Sequence, residues 1–141
     1  LETEAGNLDE ALVWLKKAYD LAPEYDVART LYAAAAIRKG DTALVESLLV
    51  PVYGTVTPGD SNILAAYLSV GAYDKVLPIA EKRLLDDPTN PRYHLDLASV
   101  YLQMGRRNEA ITMLEKAIQL DPSFKAQGEY FISEIQAGRN P

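Results

Sequence analysis

The sequence contains no cysteine. Disulfides, thiolate metal sites and thiol nucleophiles are therefore excluded, and the redox compartment is left open. Histidine is nearly as scarce. His94 stands alone, so a histidine-clustered metal site cannot form and imidazole-based catalysis has one candidate at most. Long apolar runs are also lacking: the longest, Leu31–Ile37, is far too short to span a bilayer, and no stretch reads as a signal peptide. Basic charge is in deficit, with 14 Lys and Arg against 20 Asp and Glu for a net charge of −6. The imbalance lies early: five basic against nine acidic residues in 1–50, three against five in 51–90, and six against six in 91–141. Without a basic stripe to neutralise phosphates, nucleic acid and anionic lipid are poor partners. What is present, 48% apolar and 24% charged residues over 141 positions, is the composition of one globular domain rather than of a disordered chain.

The chain repeats itself. Glycines at Gly6, Gly40, Gly71, Gly105 and Gly138 are spaced 34, 31, 34 and 33. Pro23, Pro88 and Pro122 each follow a glycine by 17 residues, and Pro58 follows Gly40 by 18. Such a unit predicts a helix, a glycine turn, a second helix and a proline-marked break. The clearest is 91–124. Leu95, Ala98, Tyr101 and Leu102 form one helical stripe, and Ala110, Met113, Leu114, Ala117 and Leu120 a second. Asn90-Pro91 suits an N-cap and first turn, Arg107 or Asn108 opens the second helix, and Asp121-Pro122 ends it.

These residues resemble the tetratricopeptide repeat family. Its large, Leu, small, Tyr, small, aromatic, Ala and Pro positions fall on His94, Leu97, Ala98, Tyr101, Ala110, Leu114, Ala117 and Pro122. Trp is usual at the first and an aromatic at the sixth. The small residues let two helix backbones approach while the large ones fill the space around them. The same template reads back along the chain. Ala11, Leu15, Ala18 and Pro23 mark a second helix over 6–23, preceded by only the short LETEA segment. Tyr32, Ala33 and Ala36 mark a first helix, followed after Gly40 by a second from Asp41 to about Val50 that Pro51 cuts short. Ile63, Leu64 and Tyr67 mark the next first helix; in its partner Val76 takes the small position, Arg83 stands in place of Ala, and Pro78 sits where it can kink the helix. The resemblance implies an all-α fold, a right-handed α-solenoid of about seven to eight helices. It divides into a half repeat over 1–25, divergent repeats over 26–58 and 59–90, a well-matched repeat over 91–124 and a C-terminal helix over 125–141. DPSFKAQGEYFISEI is also similar in style to the ends of bacterial envelope proteins, including O-antigen ligase-like membrane enzymes, which implies an accessory, extracytoplasmic domain as the alternative.

The order of half-units, second helix first and first helix last, directs attention to the ends. Gly128, Phe131, Ile132 and Ile135 form the last stripe, with Glu129, Ser133, Glu134 and Gln136 as a polar cap on the other faces. Ala11, Trp14, Leu15 and Ala18 form a face that would normally pack on a preceding helix. Either upstream repeats of a longer protein cover that face, or another copy's last helix, carrying Phe131 and Ile135, completes it head to tail, which builds rings or filaments.

No catalytic constellation is found. GAYDKV and GRRNEA lack phosphate-loop spacing, Asp86-Asp87 reads as a solvated helix end, and His94 occupies a packing position. Arg106-Arg107 follows a helix C-terminus, where cations suit the dipole. No cofactor is expected. The family's usual reading surface is the concave groove of first helices. By that resemblance it comprises Val27, Thr30, Ala34, Ile37 and Arg38; then Ser61, Ala65, Leu68 and Ser69; then Arg92, Leu95, Ser99, Leu102 and Gln103. Leu95 and Ser99 stand where carboxylate-gripping members of the family place a cation and asparagine. The expected partner is therefore an apolar peptide, a protein, or another copy of the chain.

Overall fold

A computed structural model describes the backbone of residues 2–141 and the side chains of residues 6–141. Among the described residues there are eight α-helices and a short 3₁₀ turn, and no strand. The fold is an all-α helical repeat. The chain divides into two compact units between Lys75 and Val76, inside the segment 59–90 that the repeat pattern treats as one.

The first unit holds α1 (Glu2–Leu21), α2 (Asp26–Lys39), α3 (Thr42–Tyr53) and α4 (Ser61–Ser69). Helix α2 is its centre, in contact with the other three. The composition explains why. Ala33 and Ala36 are completely buried, and their single methyl groups let neighbouring backbones come close while Tyr32, Val45, Leu49 and Ile63 fill the gaps. Tyr19 of α1 packs on Tyr32 with ring centroids 5.8 Å apart. Two boundaries differ from the sequence expectation. Gly6 makes no turn: it lies inside α1, which begins at Glu2, while Leu1 of the LETEA segment lies outside the described residues. Glycine permits a turn without requiring one. Pro51 does not end α3 at Val50. It sits within the helix, which closes at Tyr53 with Gly54 at φ 72° donating its N–H to the Val50 carbonyl. Proline this near a C-terminus removes one donor but leaves the rest of the last turn intact.

The second unit begins within α5 (Tyr73–Asp86) and contains α6 (Pro91–Gln103), α7 (Arg107–Leu120), the turn Pro122–Phe124 and α8 (Lys125–Gln136). Helix α7 is packed between α6 and α8, and its Ala110 and Ala117 have no exposed surface. Asn90 caps α6 by accepting from the Arg92 N–H at 3.0 Å. Helix α5 continues through Pro78 to Asp86. Helix α7 opens at Arg107. The cap position is Arg106, which makes no side-chain cap bond and pairs instead with Glu109 at 2.6 and 2.7 Å.

Both units use one device at their helix junctions. Arg29 and His94 each lie six residues after a proline and each bonds that proline's carbonyl, Arg29 to Pro23 and His94 Nε2 to Pro88 at 3.0 Å. Both side chains are buried, so the loop carbonyl is satisfied without water. His94 is thus a packing residue that also ties down the loop before its helix.

Candidate functional site

The candidate groove residues divide by burial. Thr30 and Ile37 are in the core, not on a reading surface, and so is Ala34. The reason is that α1, α3 and α4 all pack on α2, leaving it few free faces. The Thr30 hydroxyl is spent internally, donating to the Val27 carbonyl. Arg38, Ala65 and Leu68 are exposed in the first unit, as are Arg92, Ser99 and Gln103 in the second. Leu95 and Leu102 are half-buried.

Within the second unit three of these positions gather into a site, and Arg92 and Gln103 stand outside it. Leu95, Ser99 and Leu102 of α6, with Phe131 of α8 and Phe124 of the turn before it, line a cavity of about 400 Å³. Its floor is the cluster Ala98, Leu114 and Ile135. Phe124 and Phe131 stand 6.3 Å apart at 49°, a tilted contact that aromatic rings favour. The polar groups on the lining are few, the Ser99 hydroxyl and the Gln127 amide. Such a surface offers apolar contact and two hydrogen-bonding groups. A close approach shapes it: a Cβ on Gly128 would lie 2.7 and 2.8 Å from Ile118 and 2.9 Å from Phe124, so glycine is what allows α8 to seat on α7.

The six residues proposed from sequence for self-assembly fall in different settings. Ile135 is buried beneath the cavity rather than displayed, because α8 turns it toward Leu114 and Ala98. Phe131 is half-buried. On α1, Ala11 and Leu15 are half-buried while Ala18 and Trp14 are exposed, with the Lys17 ammonium 4.7 Å from the Trp14 ring.

Two arginine–carboxylate pairs lie elsewhere in this unit. Bonding to the Arg106 guanidinium holds the Glu109 carboxyl below its usual range, and bonding to Arg139 does the same for Glu134. Arg106 also lies 4.6 Å over the Tyr101 ring, whose hydroxyl is pushed up by burial and, less, by Glu81. Asp86 and Asp87 are exposed, and among the described residues no three His, Asp or Glu are gathered as a metal site would require. No described helix is long and apolar enough to cross a membrane.

One long-range contact escaped the sequence pattern. Arg107 does serve a helix C-terminus, as a cation should, but that of α8 and not of α6: its guanidinium donates to the carbonyls of Ile135, Gly138 and Arg139. Its partners lie at least 28 residues on, beyond any local pattern. No short motif announces such a contact.

Residues 67–129, which contain most of this site, match the model of the tetratricopeptide repeat family. Over that segment the chain is similar to tetratricopeptide-repeat proteins. It is 27% identical over 123 residues to the TPR repeat-containing protein YpiA of Bacillus subtilis (strain 168), a match covering 85% of this chain and 29% of that protein. The chain thus spans under a third of that relative's length. Among solved structures it is similar to MamA AMB-1, with a TM-score of 0.57 and 26% identity over 96% of this chain and 76% of the other. MamA 41-end from Desulfovibrio magneticus RS-1 superposes with a TM-score of 0.55 at 18% identity, over 99% of this chain and 91% of that one; this last likeness bears on the fold alone.

Proposed function

We propose that this tetratricopeptide-repeat chain is a non-catalytic interaction scaffold that takes an apolar segment of a partner protein between α6 and α8. Its repeat family and helical-repeat relatives support a protein–protein interaction scaffold. The observation that carries the finer reading is the cavity of about 400 Å³ with Leu95, Leu102, Phe124 and Phe131 on its lining. Apolar side chains left half-exposed around a concavity gain most when a partner removes them from water. The absence of a cation at Leu95 and of an amide at Ser99 argues against capture of a terminal carboxylate. Selection of displayed random peptides on the wild-type chain, counter-screened on Leu102→Glu, tests this. Enriched peptides should be apolar and should lose binding to the variant; enrichment indifferent to Leu102 would overturn the reading.

A second reading, head-to-tail association of copies, is favoured by a different observation. The segment Gly6 to Pro23 is in register with Gly105 to Pro122, so Ala18 corresponds to Ala117 and Leu15 to Leu114. Packed between α6 and α8, Ala117 is 0% and Leu114 5% exposed, whereas Ala18 is exposed and Leu15 half-buried. By that register the α1 face corresponds to the α7 face that α6 and α8 cover, and α8 stands at a first-helix position of the repeat, as α6 does. Light scattering over a hundredfold concentration range is the test. Mass should grow with concentration; a constant value near 15.5 kDa would sink this reading and leave the first untouched.

A further inference from the structure

The residues that follow α8 are held by one side chain from another helix. Arg107, the first residue of α7, donates through one terminal nitrogen to the carbonyls of Ile135 and Arg139, both at 3.1 Å. The other donates to the Gly138 carbonyl at 3.3 Å and the Asn140 side-chain oxygen at 2.7 Å. Gly138 bends the chain at φ 83°, and Arg139 turns back onto Glu134 at 2.5 and 3.0 Å. The course of residues 138–141 is therefore set, and it brings Pro141 to the lining of the apolar cavity beside α6 and α8. The division of labour among these contacts follows from chemistry. The exposed Arg139–Glu134 pair contributes little by itself. A planar fork of five N–H donors can satisfy several carbonyls at once, which a lysine ammonium on a flexible stem does far less well.

We propose that Arg107 is a positioning residue for the cavity: by fixing residues 138–141 it makes Pro141 an end wall, so that short apolar groups are accommodated and long ones are obstructed. The inference rests on reading that cavity as the binding surface. It makes Arg107 a determinant of what length of partner side chain the scaffold accepts, although Arg107 itself does not line the cavity.

The test titrates n-hexanol and n-decanol into the full chain while following the methyl resonances of Leu95 and Leu102 by NMR. In Arg107→Ala the ratio of hexanol to decanol affinity should fall about fivefold, the change that about 40 Å² of apolar wall contact implies. Arg107→Lys, which keeps the charge but loses the fork, should behave likewise. Pro141→Gly, remote from the helix core, should reproduce the shift, and Arg107→Ala with Pro141→Gly should add nothing further, since both remove the same wall. An arginine with a merely structural role would lower Tm and leave the ratio unchanged, and that result overturns the proposal. Additive shifts in the double variant overturn it as well. If neither alcohol moves Leu95 or Leu102 in the wild type, the cavity reading falls and this inference with it; alcohols that bind with an unaltered ratio in the variants remove only the role of Arg107.

Discussion

Single residues in this chain act mainly through size. Gly128 is the sharpest instance. A methyl there would sit 2.7 to 2.9 Å from Ile118 and Phe124, and the Ile118 Cγ1 contact is with a branch held near the α7 backbone. Gly128→Ala gains helix propensity of about 0.8–1 kcal/mol but meets overpacking of about 1–3 kcal/mol. The expected net result is destabilisation of about 1 kcal/mol, read as a lower Tm, and a smaller loss when Gly128→Ala is made in an Ile118→Ala background, which removes both Ile118 atoms it meets. A Gly128→Ala variant more stable than wild type would mean that α8 shifts freely on α7. The same reasoning makes Ala110 and Ala117, which have no exposed surface, intolerant of leucine. These small residues were legible in the sequence because the repeat spacing sets them at helix crossings. Arg107 was not, since nothing near it in the chain marks its partners.

At the scale of elements, periodicity located the helices, but their ends answered to local detail. Helix α1 passes through Gly6, and α3 passes through Pro51 to Gly54. The irregular stretch between α3 and α4 is held by internal bonds: the Tyr67 hydroxyl donates to the Val56 carbonyl at 2.7 Å, and Asp60 caps α4 by accepting from the Asn62 and Ile63 N–H groups. Burial, with Asp74 adding to it, pushes the Tyr67 hydroxyl above the ordinary tyrosine range, which keeps it a donor. Tyr67→Phe leaves the ring in place and removes that bond, at an expected cost of about 1 kcal/mol. Hydrogen exchange should quicken chiefly over residues 54–60. Acceleration spread evenly over the chain would show that the bond does not hold the connector in particular. Proline and glycine in this stretch signalled an irregular segment; the residue that closes it, 11 positions away from Val56, was assigned only to a helical stripe.

At the scale of the whole molecule, association is the property that the repeat order raises. Copies joined through α1 of one and α8 of the next would make a heterologous contact, which grows into rings or open filaments. On the proposed head-to-tail reading, Leu15→Lys and Phe131→Lys should each remove any growth of mass with concentration in light scattering, because each would place a charge at the apolar contact. Since Ile135 is buried in its own unit, its substitution would act through folding instead and is a poor probe of assembly. Growth that survives both lysine variants would show that some other surface joins the copies. An acidic chain of net charge −6 must also overcome its own repulsion to associate, so added salt should favour growth.

The sequence alone determined that this protein is built of paired helices with small residues at their crossings. Helical period, glycine turns and proline breaks act over a few neighbouring residues, and these were readable one repeat at a time. It also determined that thiol chemistry is excluded and that imidazole chemistry has His94 as its single candidate, since composition bounds what any fold can assemble. Tertiary structure decided which faces remain free. Thr30 and Ile37 share the stripe logic of Leu95 and Leu102, yet three helices cover α2 and enclose them, while the α6 pair is left beside an open cavity. It decided, too, that Arg107 reaches the end of α8 and that Pro141 comes to the cavity. Those contacts join residues far apart in the chain, and only packing brings them together.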